Sequence, residues 1–449
     1  MTLTKRDHAV VIGASMAGLL AARVASDFYK RVTVLERDIS HDVEPRKGVP
    51  QGHHSHVLLT KGHSILNSLF PSFTQDCINQ GAIIRDVRDR YDFYYRGYWP
   101  HMKTDMTFTG ISRPALEYLV RGYVAKIANI TMQYGYEVQG FSYDKNDILG
   151  VKVSNRMDGS AFMLAADLVI DAQGRGSRTP QWLTDNGFLA PSESHVHVNI
   201  KYATRIYSRG VCDENARTHL VVHDAPHTTK AGCAIPIEQN RYIITLADMF
   251  GKPVPASHDD FLRFAKTLAA PDIFNLISKE SPQGETHHYN FPYSRWRHYE
   301  KMSFHPRGLV VVGDAVSSFN PIYGQGMTVA ALDAQTLGEW LKNDKHNHKA
   351  LAQDIAANVQ HAWDISVGAD FAFPNTIGPK AFGVDFVNWY FKRFTKLAPY
   401  NPELTRLFFE VTHLLKKPHA LFQPRIIAQV LLGRQRNKNN PAPVLSDLT

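Results

Sequence analysis

The chain has 449 residues, 44% of them hydrophobic and 20% charged, with a formal net charge of +8, which fits a full core in two or three domains. Its three cysteines, Cys77, Cys212 and Cys233, are isolated in the sequence, so we expect neither a disulfide framework nor a redox dithiol. Free thiols are typical of a reducing compartment, so we expect a cytoplasmic location. No secretory segment precedes residue 8 and no stretch reaches the roughly 18 apolar residues of a spanning helix, so no membrane crossing is expected.

The first forty residues follow the order strand, glycine turn, helix, strand. Residues 8–12 predict a buried strand, residues 13–18 a tight turn, residues 19–28 a helix and residues 32–36 a second strand. Gly13 permits the turn and Gly18 lets helix and strand pack closely, while Ser15 replaces the middle glycine of the fingerprint. The pattern predicts a dinucleotide-binding βαβ unit.

The acid that ends the second predicted strand indicates which dinucleotide binds. Glu36 follows Gly13 by 23 residues, where a carboxylate accepts hydrogen bonds from the adenosine ribose hydroxyls. A 2′-phosphate would bring a second negative charge to this carboxylate. FAD or NAD therefore fits this site better than NADP.

Fifteen residues beginning at Gly313 form a second candidate cofactor element, after an apolar strand at 308–312 and before a long helical pattern. The Gly313-Asp314 pair places a carboxylate where a sugar hydroxyl can bind. The turn from Gly324 through Gly326 to Met327 aims backbone N–H groups outward from a helix start, which carries roughly half a positive charge. The alternative interpretation is that these residues form an ordinary turn with no ligand. A second site for a sugar and a ring system, this far along the chain from the first, favours FAD, because a flavin dinucleotide extends across the domain.

Two mid-chain segments extend the pattern. Ser112 and Pro114 predict the start of a helix with Arg113 at its mouth. Residues 171–178 follow a predicted strand at 166–170 and contain the pair Gln173-Gly174.

These elements, in this order over about residues 8–340, resemble the class A flavoprotein monooxygenases. The resemblance implies bound FAD, contact of Arg113 with its ribityl or phosphate portion, and a reduced flavin that reacts with O2 to a C4a-hydroperoxide that transfers oxygen. The family usually has Asp-Gly in place of Gln173-Gly174, and that Asp is associated with flavin and reduced-nicotinamide contacts. The sequence therefore leaves open whether NADPH or NADH reduces the flavin directly or through a flavin reductase.

Residues 45–59 resemble a subgroup that includes polyether epoxidases and, more distantly, squalene epoxidase. This likeness implies a cofactor contact at Arg46. His53, His54 and His56 have no acid or cysteine at ligand spacing, so no metal site is predicted. The histidines either line the flavin edge or are hydrogen-bonded surface residues.

These motifs together predict which residues contact the cofactor. No side chain is identified as a catalytic base, because the flavin carries the oxygen chemistry. The predicted FAD-binding residues are Gly13, Ser15, Met16, Ala17, Gly18, Glu36, Arg37, Arg46, Arg113, Gly313, Asp314, Gly324, Gly326 and Met327.

The predicted fold class is α/β, with a Rossmann-like FAD-binding domain interleaved with a β-sheet substrate domain and followed by a C-terminal helical region. The expected boundaries are 1–70, 103–185 and 290–340 for the FAD-binding domain, 71–102 and 186–289 for the substrate domain, and 341–449 for the helices. The alternation at 198–207 predicts a strand with one covered face, and residues 232–236 and 242–246 predict a hairpin. Aromatic residues at 91–99 indicate either an apolar substrate pocket or ordinary core.

Most of the net charge lies in the C-terminal region. Residues 371–449 hold eleven Lys or Arg against four acids, which gives +7 of the whole-chain +8. The basic amphipathic stretch 414–432 predicts a solvated helix face or contact with an anionic membrane surface or a partner. No nucleic-acid partner is expected, since no binding motif accompanies the charge.

The sequence favours a monooxygenase that inserts one oxygen atom from O2 into a hydrophobic natural-product intermediate, with epoxidation placed ahead of hydroxylation. A flavin-dependent halogenase shares the fold, but its W-x-W-x-I-P signature is absent at the comparable place, residues 232–236. A FAD-dependent reductase of a prenyl-type chain and a non-enzymatic flavin-binding protein also stay open. The sequence does not indicate an oligomeric state.

Overall fold

The computed structural model describes residues 6–39, 43, 50–210, 216–343 and 347–433. The strands are β1 Arg6–Ile12, β2 Tyr29–Glu36, β3 Ile83–Asp86, β4 Tyr91–Tyr94, β5 Thr107–Gly110, β6 Ile130–Tyr134, β7 Tyr136–Asp144, β8 Asp147–Asn155, β9 Ala161–Ala165, β10 Leu168–Asp171, β11 Glu193–Ser208, β12 Thr218–Val221, β13 Ala231–Ile237, β14 Arg241–Asp248, β15 Pro282–Arg297, β16 Leu309–Val311 and β17 Ser317–Ser318. The α-helices are α1 Met16–Ala25, α2 Thr60–Leu69, α3 Phe73–Asn79, α4 Arg113–Ala125, α5 Thr179–Asp185, α6 His258–Ala265, α7 Asp272–Ile277, α8 Gly326–Lys342, α9 His348–Asp370, α10 Val384–Leu397, α11 Pro402–Thr412 and α12 Pro424–Leu432. Short 3₁₀ turns occupy Pro50–His53, Gly174–Gly176, Tyr299–Lys301, Gly313–Ala315, Pro321–Tyr323, Ala398–Tyr400 and Pro418–Phe422.

A five-stranded parallel sheet contains both strands of the predicted βαβ unit, with strand order β16-β10-β1-β2-β6. Its apolar strands are buried, as expected for a parallel sheet with helices over its faces, and α1 packs beside α8 and α4. The predicted strand at 8–12 and second strand at 32–36 are confirmed. The helix differs from its prediction, because it begins at Met16 and includes Gly18 in its first turn.

An antiparallel sheet forms the second layer, in the order β17-β15-β11-β14-β13-β12-β4, with a parallel pair only at its β12-β4 edge. β11 contains the alternating run predicted at 198–207, and β13 and β14 form the predicted hairpin with Ala234 opposite Ile244. Both predictions are confirmed. The aromatic strand β4 belongs to this sheet, which brings it against the helices at the end of the chain.

The C-terminal helices cover the aromatic edge of the antiparallel sheet. Leu421, Ile426 and Val430 are buried in the same apolar cluster as Phe93 of β4. The apolar side of the basic stretch 414–432 therefore packs largely on the protein itself. In the described part of the chain, no helix is long and apolar enough to cross a membrane.

The predicted α/β class, with a Rossmann-like parallel sheet, a separate antiparallel sheet domain and C-terminal helices, is confirmed. The domain boundaries stay a prediction. β15 spans the predicted boundary between residues 289 and 290. β17 lies within the segment 290–340 that was predicted for the FAD-binding domain, but it pairs with β15 in the antiparallel sheet.

A fully buried arginine anchors the aromatic strand to the loop that follows it. Arg88 donates to the carbonyls of Tyr91 (3.1 Å), Trp99 (2.8 Å) and Pro100 (2.7 Å), and its guanidinium carbon lies 4.9 Å from the ring centroid of Phe409. Burial lowers the pKa of Arg88 to about 10, so the group remains charged at neutral pH. One side chain thus ties β4 to the loop at 99–100 and to α11.

We expect Arg88→Met to lower the thermal unfolding midpoint by several degrees, because removing the guanidinium leaves buried carbonyl oxygens without donors, at about 1–3 kcal/mol each. Lys103→Met is the matched control, since its side chain is 85% exposed and should change stability by less than about 0.5 kcal/mol. Circular dichroism during heating measures both variants. Equal midpoints for Arg88→Met and the wild type would show that these bonds contribute no net stability.

Candidate active site

One cavity of about 870 Å³ runs between the two sheets and reaches the C-terminal helices. Most of the predicted cofactor residues line it, namely Gly13, Ser15, Met16, Ala17, Glu36, Arg37, Arg113, Asp314, Gly324, Gly326 and Met327. Gly18 and Gly313 lie outside the lining. Arg46 falls outside the described residues.

Gly18 and Gly313 permit close packing behind the cavity wall. A Cβ on Gly18 would lie 1.8 Å from the carbonyl oxygen of Gly13, and a Cβ on Gly313 would lie 2.7 Å from the Cβ of Ala17. Gly13 itself has φ +100° and sits against the carbonyl of Ala172. These contacts draw the turns after β1, β10 and β16 together.

Ser15 connects the first glycine turn to α4. Its hydroxyl donates to Glu117 Oε2 (3.2 Å) and accepts from Arg113 Nη2 (3.0 Å), while Arg121 Nη2 donates to Glu117 Oε1 (2.9 Å). Ser112 caps α4 as predicted, accepting from the Ala115 N–H. Ser15, which replaces the middle glycine of the fingerprint, therefore helps to hold Arg113 in the cavity wall.

Sequence reasoning missed Glu117, which is 4% exposed. The signal was present, because Arg113, Glu117 and Arg121 are spaced four residues apart on one helix face. An acid flanked in this way neutralises one arginine and orients the other.

Glu36 lies at the carboxyl end of β2 and is 6% exposed. Its carboxylate accepts from the Ala14 N–H (2.9 Å) and the Asp38 N–H (3.0 Å). These two bonds fix the carboxylate at the cavity wall beside Arg37, and its role as a ribose acceptor stays a prediction.

The second predicted element forms the opposite wall. Gly313 N–H donates to the buried Asp333 Oδ2 (3.0 Å), which fixes the turn against α8. Burial raises the pKa of Asp333 to about 7, and burial also raises the pKa of Asp314, an effect opposed by Arg113, Arg175 and Arg295. The carboxylate of Asp314 thus faces the cavity within the field of three arginines.

The turn after β10 supplies a third wall. Asp171 is fully buried and accepts from Ser177 Oγ (2.5 Å), Thr179 Oγ1 (2.5 Å) and the Gln173 N–H (2.9 Å). Its carboxylate shapes the turn and is not directed at a ligand. Gln173 and Arg175 line the cavity, and Arg175 stacks 4.4 Å from the ring centroid of Tyr293.

These residues fit an extended flavin dinucleotide. The amino ends of α1 and α8 both open on the cavity, carboxylates stand at both ends for sugar hydroxyls, and Arg113 is available to the phosphate or ribityl portion. Arg175 Nη2 is buried without a hydrogen-bond partner among the described residues, as expected for a donor that serves a ligand.

The far end of the cavity is an apolar chamber. Its walls come from the antiparallel sheet and from α10 and α11, and the apolar lining includes Phe93, Leu220, Ile235, Phe391, Phe408 and Phe409. The aromatic segment at 91–99 contributes both to the chamber wall and to the core, since Phe93 lines the chamber while Trp99 packs edge-on against Phe93 at 5.3 Å between ring centroids. A substrate pocket at this segment stays a prediction.

Three histidines at this end, His54, His56 and His413, are neutral at pH 7. Burial lowers the pKa of His54 to about 3 and the pKa values of His56 and His413 to about 4. His54 Nδ1 bonds Thr204 Oγ1 at 2.7 Å and His53 stacks on His287. The chamber accordingly suits an uncharged, largely apolar molecule.

Outside the cavity, Asp92, His219 and Asp272 form the one group of acids and histidines in the described residues with spacing that could hold a metal ion. Arg217 already pairs with Asp92 through two contacts of 2.5 and 2.6 Å. Tyr98 also donates to Asp272 at 2.6 Å. These bonds account for the cluster as a protein ion-pair network.

Comparison with known proteins agrees with this geometry. Residues 7–346 match the family model described as FAD binding domain. Protein Rv3254 of Mycobacterium tuberculosis (strain ATCC 25618 / H37Rv) is 31% identical, and the match covers 97% of each chain.

Solved structures share the fold at low sequence identity. The flavin-dependent brominase Bmp2 aligns with a TM-score of 0.65 and 13% identity over 95% of this chain and 98% of its own. PqsL, a probable FAD-dependent monooxygenase from Pseudomonas aeruginosa, aligns with a TM-score of 0.59 and 16% identity over 81% of this chain and 94% of its own. The chain therefore belongs to the family described as FAD binding domain, as the resemblance to class A flavoprotein monooxygenases implies, and is a flavoenzyme that binds FAD.

Proposed function

We propose that this flavoenzyme is a monooxygenase that transfers one oxygen atom from O2 to a hydrophobic natural-product intermediate, by epoxidation or hydroxylation. The observation that carries the proposal is the single cavity that joins the FAD-binding turns to the apolar chamber. A substrate in the chamber shares one enclosed space with the end of the site formed by Gly324 and Gly326. When bound, FAD supplies the oxygen activation, and the chain supplies position and electrostatics.

The residues around the chamber keep water from the reacting atoms. Phe408 and Phe409 of α11 and Phe391 of α10 form apolar walls of the chamber. Exclusion of water protects reactive oxygen species from unproductive breakdown. The neutral histidines add polarity without charge, so they do not attract ionic competitors for the substrate.

Two further enzyme classes use the same fold. A halogenase is suggested by the likeness to Bmp2, but the strand at 232–236 reads Gly-Cys-Ala-Ile-Pro and lacks both tryptophans of the halogenase signature. A reductase of a prenyl-type chain would also use FAD and an apolar chamber. NADPH or NADH is the proposed electron donor, either directly or through a flavin reductase, since Gln173 replaces the usual acid.

The first test is oxygen reactivity. We expect the reduced holoenzyme, mixed rapidly with oxygenated buffer, to pass through a transient absorbing species distinct from both oxidised and reduced FAD. Repeating the reaction under ¹⁸O2 with 2-naphthol as an apolar probe should give a product carrying one ¹⁸O atom, detected by mass spectrometry. Added bromide should leave that product unchanged.

Each contrary result points to a different enzyme. A brominated naphthol in the bromide reaction would identify a halogenase. Direct return to oxidised FAD with only hydrogen peroxide released, with and without the probe, would overturn the monooxygenase proposal. Transfer of the reducing equivalents to a polyprenyl acceptor without oxygen would support the reductase.

We expect Asp314→Ala to raise the Kd for FAD about tenfold or more, because a hydrogen bond to a charged group contributes about 1.5–3 kcal/mol and each 1.4 kcal/mol is tenfold. Asp354→Ala, at an exposed position on α9, is the matched control. Titration of the apoprotein by flavin fluorescence measures both. An unchanged Kd for Asp314→Ala would remove this carboxylate from the proposed cofactor site.

The proposed peripheral membrane contact lies on α10 and the loop before it. Phe382 is fully exposed, Phe386 is 61% exposed and Trp389 is 49% exposed. Lys392 and Arg393 are exposed one turn further along, and the guanidinium carbon of Arg393 lies 5.6 Å from the Trp389 ring centroid. Exposed aromatic residues beside cations match an anionic lipid surface. The inner side of α10 carries Phe391, which lines the chamber. A substrate could therefore pass from lipid into the chamber along this helix.

We expect the double variant Phe386→Ser/Trp389→Ser to bind phosphatidylserine-containing vesicles at least about tenfold more weakly than the wild type, because the apolar contact is lost. Sedimentation with vesicles measures binding, and the flavin spectrum checks the fold. Phe162→Ser/Met163→Ser, which alters 40% and 52% exposed residues on β9, is the matched control. Equal binding by the α10 variant and the wild type would contradict the proposed surface.

A further inference from the structure

One histidine of the chamber is held by a chain of hydroxyl groups from the antiparallel sheet. His54 Nδ1 lies 2.7 Å from Thr204 Oγ1 of β11, which in turn lies 2.6 Å from Thr245 Oγ1 of β14. Thr245 Oγ1 lies 2.8 Å from Ser55 Oγ, beside His54 in the sequence. We call Thr204, Thr245 and Ser55 the hydroxyl chain.

The direction of each bond in the hydroxyl chain follows from counting hydrogens. The Thr245 hydroxyl donates to Ser55 Oγ, and its oxygen accepts from the Ser55 N–H at 3.2 Å. A hydroxyl group has one hydrogen to donate. Thr245 therefore has none left for Thr204, and Thr204 donates to Thr245. Because the hydrogen of Thr204 is then also used, the bond between Thr204 and His54 is donated by the Nδ1–H of the ring.

This direction fixes the tautomer of His54. A neutral imidazole carries one N–H, so a hydrogen on Nδ1 leaves Nε2 with a free lone pair. Nδ1 faces the antiparallel sheet, and Nε2, on the other edge of the ring, faces the cavity that His54 lines. His54 therefore presents a hydrogen-bond acceptor, and no donor, to a molecule in the chamber.

The surroundings keep this acceptor neutral. Burial lowers the pKa of His54 to about 3, and the neighbouring rings of His56, His53, His287 and His288 act in the same direction. A base with so low a pKa does not remove a proton from its partner at neutral pH. A group that donates to Nε2 therefore keeps its proton and stays uncharged.

The other polar side chains at this end are less available to a ligand. Tyr202 Oη and His223 Nδ1 are enclosed by protein atoms, so a molecule in the chamber does not reach them. Tyr323 Oη already donates to the buried carboxyl of Asp370 at 3.0 Å. His54 Nε2 is left as an acceptor that is open to the chamber.

His54 stands where the chamber meets the cofactor end of the cavity. On the chamber side, the ring centroids of Tyr202 and Tyr289 lie 5.9 and 5.6 Å from that of His54. On the cofactor side, Val57 follows three residues later, and a Cβ on Gly324 would lie 3.7 Å from the Val57 Cβ. A molecule bonded to Nε2 is therefore fixed at the end of the chamber next to the turn at Gly324.

We propose that the substrate carries an uncharged N–H or O–H group and that His54 Nε2 orients the substrate by accepting a hydrogen bond from this group. Thr204 is a positioning residue, because it holds the ring in the tautomer that accepts. The inference rests on the proposed monooxygenase function and names the substrate class of the same chamber. A molecule whose polar groups are ethers or carbonyls alone has no donor for His54 and should bind more weakly.

The test measures binding to the oxidised holoenzyme, where no turnover occurs. The probes are indole and benzofuran, which share one shape and differ at one ring position, an N–H in indole and an oxygen in benzofuran. We expect the wild type to bind indole about fivefold more tightly than benzofuran, the effect of one hydrogen bond between neutral groups. The preference should stay constant from about pH 5.5 to about pH 8.5, because His54 is neutral throughout. Isothermal titration calorimetry measures both affinities.

Two variants separate the acceptor from the tautomer. His54→Phe keeps an aromatic ring but removes the acceptor, so it should bind benzofuran as the wild type does and lose the preference for indole. Thr204→Val keeps the shape of the side chain but removes the oxygen that accepts from Nδ1–H. The ring can then carry its hydrogen on Nε2, and the preference should fall to about twofold or less.

Thr33→Val is the matched control for Thr204→Val. Thr33 is also buried on a strand, and its Oγ1 also lies within bonding distance of a histidine, at 2.9 Å from His8 Nε2. Neither Thr33 nor His8 lines the cavity. This variant should keep the wild-type preference, and the flavin spectrum checks that each variant retains FAD.

The outcomes distinguish the role of His54 from the monooxygenase function. Equal affinity of the wild type for the two probes, or an unchanged preference in His54→Phe, would overturn the acceptor while leaving the monooxygenase proposal in place. An unchanged preference in Thr204→Val would overturn the fixed tautomer. Binding of neither probe would contradict an apolar substrate chamber and so count against the proposed function itself.

Discussion

The active site depends on the register of three neighbouring parallel strands. β1 pairs with β10 so that Ile12 lies opposite Asp171, and β10 pairs with β16 so that Asp171 lies opposite Val311. The three strands therefore end at one edge of the sheet, and the turns that follow them meet there. Ligands of open α/β sheets bind outside the carboxyl ends of the strands for this reason. A shift of one residue in either pair would separate the turns at Gly13, Gly174 and Gly313.

The cavity divides into a charged half and a neutral half. Arg113, Arg175 and Arg295 surround the cofactor end, which suits a dinucleotide with two phosphates. The chamber has neutral histidines and aromatic rings, and the carboxyl of Asp370 behind it accepts from Asn320 and Tyr323 but has no cationic partner among the described residues. A polar cofactor and the proposed apolar substrate thus each have a matching environment within one continuous cavity.

How much of this site could be predicted from the sequence depended on the range of the contacts involved. The glycine turns, Glu36, Arg113 and Asp314 follow strands or begin helices, so local pattern places them on the correct edge of a parallel sheet. Glu117 was also within reach through its four-residue spacing from two arginines. Tyr202, His223 and Asp370 were not, because β11, the segment after β12 and α9 meet only in the folded chain, around the turn at residues 320–326, which we call the flavin loop.

The amphipathic tail shows a different limit of sequence reasoning. Periodicity indicates that residues 414–432 have an apolar side but not what covers it, and the structure packs that side on the cluster around Phe93. The exposed apolar surface lies instead on α10, where Phe386 and Trp389 face outward while Tyr390 and Phe394 face inward. A helix with aromatic residues on both sides does not reveal from sequence which side is buried.

The flavin loop joins the two halves of the cavity mechanically. Within seven residues it places Asn320 and Tyr323 on the carboxyl of Asp370 and Gly324 and Gly326 on the cofactor wall. Gly324, in the left-handed region at φ +67°, is the point where the chain changes direction between them. Three peptide units therefore separate Tyr323, in the wall of the chamber, from Gly326, where α8 begins at the cofactor wall, so a shift of the backbone at either residue is transmitted directly to the other.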